Sequence, residues 1–299
     1  MTFNARGSFV ALATPFTQKG RIDWKCIEKL ILWHIEEGTD GILCCGATGE
    51  GMAISETEKK GIVSLCVNVA NQKIPIIAAS GTADTRQSCR LTEQMLKLGA
   101  SACLIVTPYY NKPTPRGCVR HFSEIAKVGL PVIVYNNPGR VSLRLEAETV
   151  AECAEIPGIS GYKESTGDIN LIRKIRTISS IPILSGDDYL TYSTLLEGGE
   201  GSISVIGNLF PKIWKAMITL ALEKKWDLAK KIDDRFQPLC NALFLEPNPQ
   251  CLKFAMSWLG KCQGHLRLPL VQPTEKTQAQ VKREIVALGL PFKLQQMAI

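Results

Sequence analysis

The chain has 299 residues, of which 45% are hydrophobic and 21% charged, and its 35 basic and 28 acidic side chains leave a net charge of +7. We expect no transmembrane segment and no cleavable leader, because no apolar run is long enough to cross a bilayer and no basic, apolar and cleavable sequence opens the chain. Nucleic-acid and membrane partners are not expected either, since the basic residues are spread out and do not form a stripe with interleaved aromatics.

Short apolar runs rich in Val, Ile and Ala alternate with helix-like stretches along the first three quarters of the chain, which is typical of repeated βα units. Eight strands are predicted, at 8–13, 40–45, 75–80, 102–106, 131–136, 158–163, 181–185 and 201–206. Between them, helices are predicted at 23–37, with Asp23 as N-cap and Gly38 after its end, and at 84–98, with Asp84 as N-cap and Gly99 after its end.

Eight βα units predict an α/β fold in which the parallel strands close into a (β/α)8 barrel, an architecture that commonly takes about 250 residues. A doubly wound open sheet would more often carry a glycine-rich phosphate loop after its first strand, and residues 13–16 (Ala-Thr-Pro-Phe) offer none. Helical patterns replace strands from about residue 210, at 211–223, 226–241, 249–259 and 275–288. We therefore predict a barrel over residues 1–224 and a C-terminal helical domain over 225–299.

The eleven cysteines are odd in number and scattered, without a C-x-x-C pair, and the three histidines are far apart in the sequence. A structural zinc site is therefore not expected. Most of the cysteines have apolar neighbours, as reduced cysteines do when they serve as small core residues. We expect free thiols and a cytoplasmic location.

The active site of such a barrel lies at the carboxyl ends of the strands. Polar stretches end six of the predicted strands: 46–50 (Gly-Ala-Thr-Gly-Glu), 107–111 (Thr-Pro-Tyr-Tyr-Asn), 135–140 (Tyr-Asn-Asn-Pro-Gly-Arg), 161–165 (Gly-Tyr-Lys-Glu-Ser), 185–188 (Ser-Gly-Asp-Asp) and 205–208 (Val-Ile-Gly-Asn). These stretches are the candidates for the functional site.

The sixth strand carries the candidate nucleophile. Alternation places Gly161 and Lys163 on one face and Tyr162 and Glu164 on the other, and either face can point into the barrel. An ammonium inside a barrel loses hydration, which favours the free amine that attacks a ketone. Gly161 is expected to make room for the lysine stem. A lone lysine at a strand end more often points into solvent.

Three neighbouring features fit the same chemistry. Tyr135 ends the fifth strand, where a phenol is able to pass protons to a reacting carbonyl, although a core aromatic is equally at home there. The turn 46–49 exposes backbone amides beside the Thr48 hydroxyl, which suits a small carboxylate, although as a bare pattern it is also an ordinary loop. Arg140 is able to hold a second carboxylate through two parallel hydrogen bonds, and its simpler interpretation is a surface arginine.

Taken together, these strand ends resemble the dihydrodipicolinate synthase and N-acetylneuraminate lyase family of aldolase-like barrels. The resemblance spans nearly the whole chain, from 11–16 (Ala-Leu-Ala-Thr-Pro-Phe) to 246–249 (Glu-Pro-Asn-Pro), with the motifs in matching order. The motif Tyr-Asn-x-Pro followed by Arg140 resembles that of the synthase branch of the family, since the sialic-acid lyases generally lack that arginine.

The resemblance implies a role for each candidate. Lys163 forms an imine with pyruvate, so that no separate cofactor and no metal are needed, and Tyr135 shuttles protons. The amides around Ala47 and Thr48 hold the pyruvate carboxylate. The remaining implied site residues are Arg140, which binds the carboxylate of aspartate 4-semialdehyde, Gly186 and Ile203, whose carbonyls line the pocket, and Tyr110. The implied reaction gives 4-hydroxy-tetrahydrodipicolinate, on the way to diaminopimelate and lysine.

One position departs from the family. Synthases usually carry two adjacent hydroxyl residues in the 46–50 turn, and the first links two tyrosines in a proton relay, whereas this chain has Ala47. The second relay tyrosine corresponds to Tyr110, which in the family reaches into the neighbouring subunit. A homo-oligomer is therefore implied, at least a dimer and by expectation a tetramer. A water is able to replace the missing hydroxyl only where the pocket has room and polar partners.

Three functions fit these observations. The first is the synthase, which we expect to work more slowly because of Ala47. The second is a related aldolase or dehydratase acting on a longer 2-keto acid, which Arg140 disfavours because it suits a short carboxylate better than a polyol chain. The third is a non-catalytic barrel, and the retention of Lys163, Tyr135 and Arg140 argues against it.

Inhibition by lysine is expected to be weak or absent. At the places where lysine-inhibited relatives bind lysine, this chain has Glu56, Lys59, Ala83 and Gln87. The positive charge of Lys59 would repel the ammonium group of the inhibitor.

Overall fold

The computed structural model describes residues 3–290, and its centre is a closed barrel of eight parallel strands in chain order, with β1 paired to both β2 and β8. The strands are β1 (Gly7–Ala11), β2 (Gly41–Cys44), β3 (Ile76–Ala79), β4 (Ala102–Val106), β5 (Val132–Asn136), β6 (Ile159–Glu164), β7 (Ile183–Ser185) and β8 (Gly201–Ser204). All eight predicted strands and the predicted barrel are confirmed.

Helices follow the strands and cover the barrel: α1 (Trp24–Glu36), α2 (Glu56–Ala70), α3 (Thr85–Lys97), α4 (Pro115–Ala126), α5 (Pro138–Val141), α6 (Ala147–Ala154), α7 (Ile169–Ile178), α8 (Thr191–Leu196) and α9 (Pro211–Leu222). The predicted N-caps are confirmed, because the Asp23 carboxylate accepts from the Cys26 amide at 3.0 Å and Asp84 accepts from the Gln87 amide at 2.8 Å. Such caps satisfy amides that lack a partner in the first helical turn.

The buried residues form two layers. Inside the barrel, Phe9, Leu43, Ile133, Leu184 and Ile203 pack against one another, and a larger layer fills the space between barrel and helices. Side chains of a strand alternate between these layers. Tyr162 belongs to the outer layer, whereas its neighbour Lys163 faces the barrel interior, beside the ring of Tyr135. Lysine is rarely buried to this extent.

The C-terminal helices are α10 (Trp226–Ala242), α11 (Gln250–Trp258) and α12 (Glu275–Ala287), as predicted. They pack directly on the barrel's last helix, where the ring of Phe236 lies 6.2 Å from that of Trp214 and 5.5 Å from that of Phe210. The domain boundary between residues 224 and 225 stays a prediction. Within residues 3–290, no helix is long and apolar enough to cross a membrane, and all eleven cysteines are free thiols.

Candidate active site

A pocket lies at the carboxyl ends of the barrel strands, where the fold was expected to hold the site. Six predicted site residues line it: Ala47, Thr48, Tyr135, Arg140, Lys163 and Gly186. Seven further residues that were not predicted as site residues also line it: Leu43, Leu104, Asn137, Asp187, Val205, Phe244 and Asn248. The strand ends therefore converge on one cavity, to which the C-terminal helical region contributes two residues.

Lys163 is 6% exposed and its amine lies 4.4 Å from the centroid of the Tyr135 ring. The expectation that Gly161 makes room for it is wrong, because a Cβ on Gly161 would meet the Ala5 side chain at 2.9 Å. Gly186 makes the room instead, since a Cβ there would lie 2.6 Å from Cε of Lys163. Any larger residue at 186 would displace the lysine stem.

Tyr135 is directly beside Lys163 because β5 and β6 pair in the register Tyr135 to Lys163. Its ring is buried in the barrel interior, and its phenol oxygen accepts a hydrogen bond from Asn137 Nδ2 at 2.7 Å. The phenol and the amine thus open into the same pocket, so a group bound between them contacts both.

A buried polar network on the outer face of the barrel holds these two strand ends in register. The Tyr162 hydroxyl donates to Glu164 and accepts from Asn136 Nδ2, the latter at 2.8 Å. Asn136 also bonds both backbone groups of Leu145. Burial raises the pKa of both Tyr162 and Glu164, and the nearby negative charge of Glu164 raises that of the tyrosine further. The network secures the backbone on either side of Lys163.

The turn after β2 rests on a buried ion pair. Lys253 of α11 bonds Glu50 at 2.6 Å and the Thr14 carbonyl at 2.8 Å, and both paired side chains are fully buried. Gly51 permits the tight turn, because a Cβ there would lie 1.9 Å from the Cys45 carbonyl oxygen. This support fixes the backbone on which Ala47 and Thr48 lie.

Asn248 connects the two candidate carboxylate-binding groups. Its side-chain nitrogen donates to Thr48 Oγ1 at 3.0 Å, while its backbone carbonyl accepts from Arg140 Nη2 at 2.9 Å. Its Oδ1 is buried and has no hydrogen-bond partner within residues 3–290. The 246–249 motif was recognised in the sequence, but nothing in a strand-end pattern indicates that it reaches the barrel rim.

Two acids follow β7. Burial raises the pKa of Asp187, while the nearby Lys163 and Arg140 lower it, and its side chain lines the pocket. Asp188 accepts from the amides of Val205 and Ile206 at 3.0 and 2.7 Å, and burial raises its pKa to about 7. Asp188 therefore ties the loop after β7 to the loop after β8, and Asp187 contributes charge to the site.

Two predicted residues do not line the pocket. Ile203 lies in β8 within the buried barrel interior, and Val205 of the same segment lines the pocket instead. Tyr110 is 93% exposed and has a left-handed φ of 67°. Sequence motifs do not distinguish these two residues from the six that line the pocket, because a motif contains no distances.

The chain is similar to known proteins over nearly its whole length. The sequence model of the dihydrodipicolinate synthetase family matches residues 4–288. A 4-hydroxy-tetrahydrodipicolinate synthase of Thermodesulfovibrio yellowstonii is 41% identical over 288 residues, which cover 95% of this chain and 99% of that protein.

Solved structures give the same result. Dihydrodipicolinate synthase from Aquifex aeolicus superposes with a TM-score of 0.93 at 36% identity, covering 96% of this chain and 99% of that one. The chloride-inhibited enzyme from Acinetobacter baumannii, complexed with pyruvate, superposes with a TM-score of 0.93 at 38% identity and covers 96% of this chain and 99% of that one. The chain belongs to the dihydrodipicolinate synthetase family.

Proposed function

We propose that the protein condenses pyruvate with L-aspartate 4-semialdehyde to give 4-hydroxy-tetrahydrodipicolinate, in the pathway to diaminopimelate and lysine. The observation that carries the proposal is the buried Lys163 amine, 4.4 Å from the Tyr135 ring, in a pocket that Arg140 and Thr48 also line. The similar proteins named as this synthase, and one of them complexed with pyruvate, support the choice of substrates.

The first half of the reaction forms the imine. The Lys163 amine adds to the keto carbon of pyruvate, and the oxygen leaves as water after it takes one proton from the added nitrogen and one from the Tyr135 phenol. The phenolate then takes a proton from the methyl group of the iminium, which restores the phenol and leaves an enamine. The carboxylate of Asp187, which lines the same pocket, is proposed to face the positive iminium. The electron sink is the iminium of the chain's own lysine, so the proposal includes no separate cofactor and no metal.

The second half joins the two substrates. The enamine carbon attacks the aldehyde of the semialdehyde, a carbon–carbon bond forms, and the aldehyde oxygen takes a proton from the restored Tyr135 phenol. Arg140 is proposed to hold the carboxylate of this second substrate, while the amides and hydroxyl at Ala47 and Thr48 hold that of pyruvate. The amino group of the second substrate then displaces Lys163 from the iminium carbon and gives a proton to the Tyr135 phenolate, which closes the ring, restores the phenol and frees the lysine.

Borohydride trapping with pyruvate alone tests the first half. It reduces the imine to a stable amine, and peptide mass mapping is expected to find the adduct on Lys163. Turnover with aspartate 4-semialdehyde, coupled to reduction of the product, tests the second half. An adduct elsewhere, or none, refutes the imine, whereas an adduct without turnover refutes only the second substrate.

A second copy of the chain is part of the proposal. Tyr110 is 93% exposed on a backbone in the left-handed region, so its ring is available to a neighbouring subunit. We propose a dimer as the smallest active unit and a tetramer as the full assembly. Sedimentation of the protein across a dilution series, with activity measured at each concentration, tests whether activity is lost as the dimer dissociates.

Ala47→Thr is expected to raise kcat by about 10-fold. Position 47 lines the pocket, so a hydroxyl there would restore part of the proton relay. General acid–base catalysis usually contributes about 10² to 10⁴-fold to the rate. Steady-state kinetics with both substrates measure the change. Ala47→Val has nearly the same volume as threonine without the hydroxyl and serves as the control. A gain in the valine variant, or a flat kcat in the threonine variant, contradicts the relay.

Millimolar L-lysine is expected to leave turnover nearly unchanged. By the resemblance, Lys59 stands where lysine-inhibited relatives bind the inhibitor, and its positive charge would repel an ammonium group there. Both oxygens of Glu56 already accept hydrogen bonds from Arg90. Initial rates measured against lysine concentration test this, with Lys59→Gln expected to be the more sensitive variant. Strong inhibition of the unmodified protein would show that the site binds lysine despite these charges.

A further inference from the structure

Asn137 is held at both ends of its side-chain amide. Its Oδ1 caps the short helix α5 by accepting from the Arg140 amide at 3.2 Å, and its Nδ2 donates to the Tyr135 phenol at 2.7 Å. Because the cap determines which way the amide faces, the nitrogen is directed at the phenol. The residue lines the pocket, yet neither the sequence motifs nor the proposed mechanism gives it a role.

The bond to Tyr135 has a direct consequence for proton transfer. A phenol oxygen that accepts from an amide keeps its own proton for another acceptor, which here is a group bound in the pocket. Once that proton has left, the same N–H stabilises the phenolate, because hydrogen bonds to a charged acceptor are the stronger kind. Lys163 lies on the face of the same ring, so the phenol is oriented beside the reacting nitrogen.

We propose that Asn137 is the positioning residue for Tyr135, and that it supplies to the phenol the hydrogen bond that the missing hydroxyl at position 47 would otherwise provide. Ala47 and Asn137 line the same pocket, and Ala47 has no side-chain donor to offer. This inference rests on the proposed function. It accounts for a barrel that keeps Lys163, Tyr135 and Arg140 while lacking the relay hydroxyl.

Asn137→Ser separates the two roles of the side chain. Serine is also a favoured N-cap, so α5 and Arg140 keep their support, but its hydroxyl is too short to reach the phenol. We expect kcat to fall by about 10-fold while KM for the semialdehyde stays within about twofold.

Asn137→Asp retains the cap oxygen, but its carboxylate accepts the phenol proton in a hydrogen bond, so the kcat of this variant should fall further. The exposed Asn170→Ser, near the start of α7, is the control.

Rescue provides the decisive measurement. In the Ala47→Thr background the serine substitution is expected to cost less than about threefold in kcat, because the new hydroxyl takes over the bond. An equal loss in both backgrounds overturns the inference, as does a KM for the semialdehyde that rises in step with the loss of kcat. An unchanged kcat in both Asn137 variants overturns it as well.

The rate of borohydride trapping with pyruvate alone distinguishes this inference from the proposed function. If the unmodified protein forms the Lys163 adduct and the Asn137 variants form it more slowly, both stand. If the unmodified protein and both Asn137 variants form the Lys163 adduct equally fast, only the inference fails. If the unmodified protein forms none, the proposed function fails and the inference with it. Thermal unfolding of each variant confirms that the comparison is between folded proteins.

Discussion

Lys163→Met is expected to lower kcat by at least about 10³-fold and to abolish the trapped pyruvate adduct, since Lys163 supplies the amine in the proposed mechanism. Methionine has a similar length and suits a side chain that is only 6% exposed, so the fold should persist. Turnover and mass mapping after borohydride reduction are the measurements.

The chain offers two useful comparisons for this prediction. Lys174 is exposed on the helix that follows β6, so Lys174→Met should leave both readouts unchanged. Lys253 is a second buried lysine, but its amine is bound to Glu50 and to the Thr14 carbonyl. An adduct mapped to Lys253, or one that survives in Lys163→Met, would show that the nucleophile has been misassigned.

Tyr135→Phe is expected to lower kcat by about 10² to 10⁴-fold, the usual worth of a general acid–base group. The ring remains buried and packed in the barrel interior, so the loss falls on proton transfer and not on folding. Trapping with pyruvate should become slower and still reach completion, because the amine remains. Steady-state kinetics and the time course of trapping measure the two effects.

Tyr192→Phe is the matched control for this substitution, since that tyrosine packs edge-on against Trp226, away from the pocket. It is expected to retain full activity. A kcat for Tyr135→Phe equal to that of the control would mean that another group moves the proton. Asp187 would then be the next candidate, because it also lines the pocket and burial raises its pKa.

Much of the site was predictable because a parallel barrel brings all strand ends to one rim. Lys163, Tyr135, Arg140 and the 46–49 turn are separated by long stretches of chain, and their position at strand ends was enough to bring them together. Asn137 and Asp187 lie within the same polar strand-end stretches, 135–140 and 185–188. They were missed because a strand-end pattern does not indicate which of several polar neighbours turns toward the pocket.

The sequence by itself determined the eight strands, the N-caps and the residue types at the barrel rim, because these depend on periodicity and on local hydrogen bonding. Only the tertiary structure decided which face of β6 points inward, since alternation is the same for both faces. It also decided that Gly186 and not Gly161 makes room for Lys163, and that Asn248 of the C-terminal region joins Thr48 to Arg140. Such contacts depend on distances between segments that are remote in the chain, and periodicity carries no information about them.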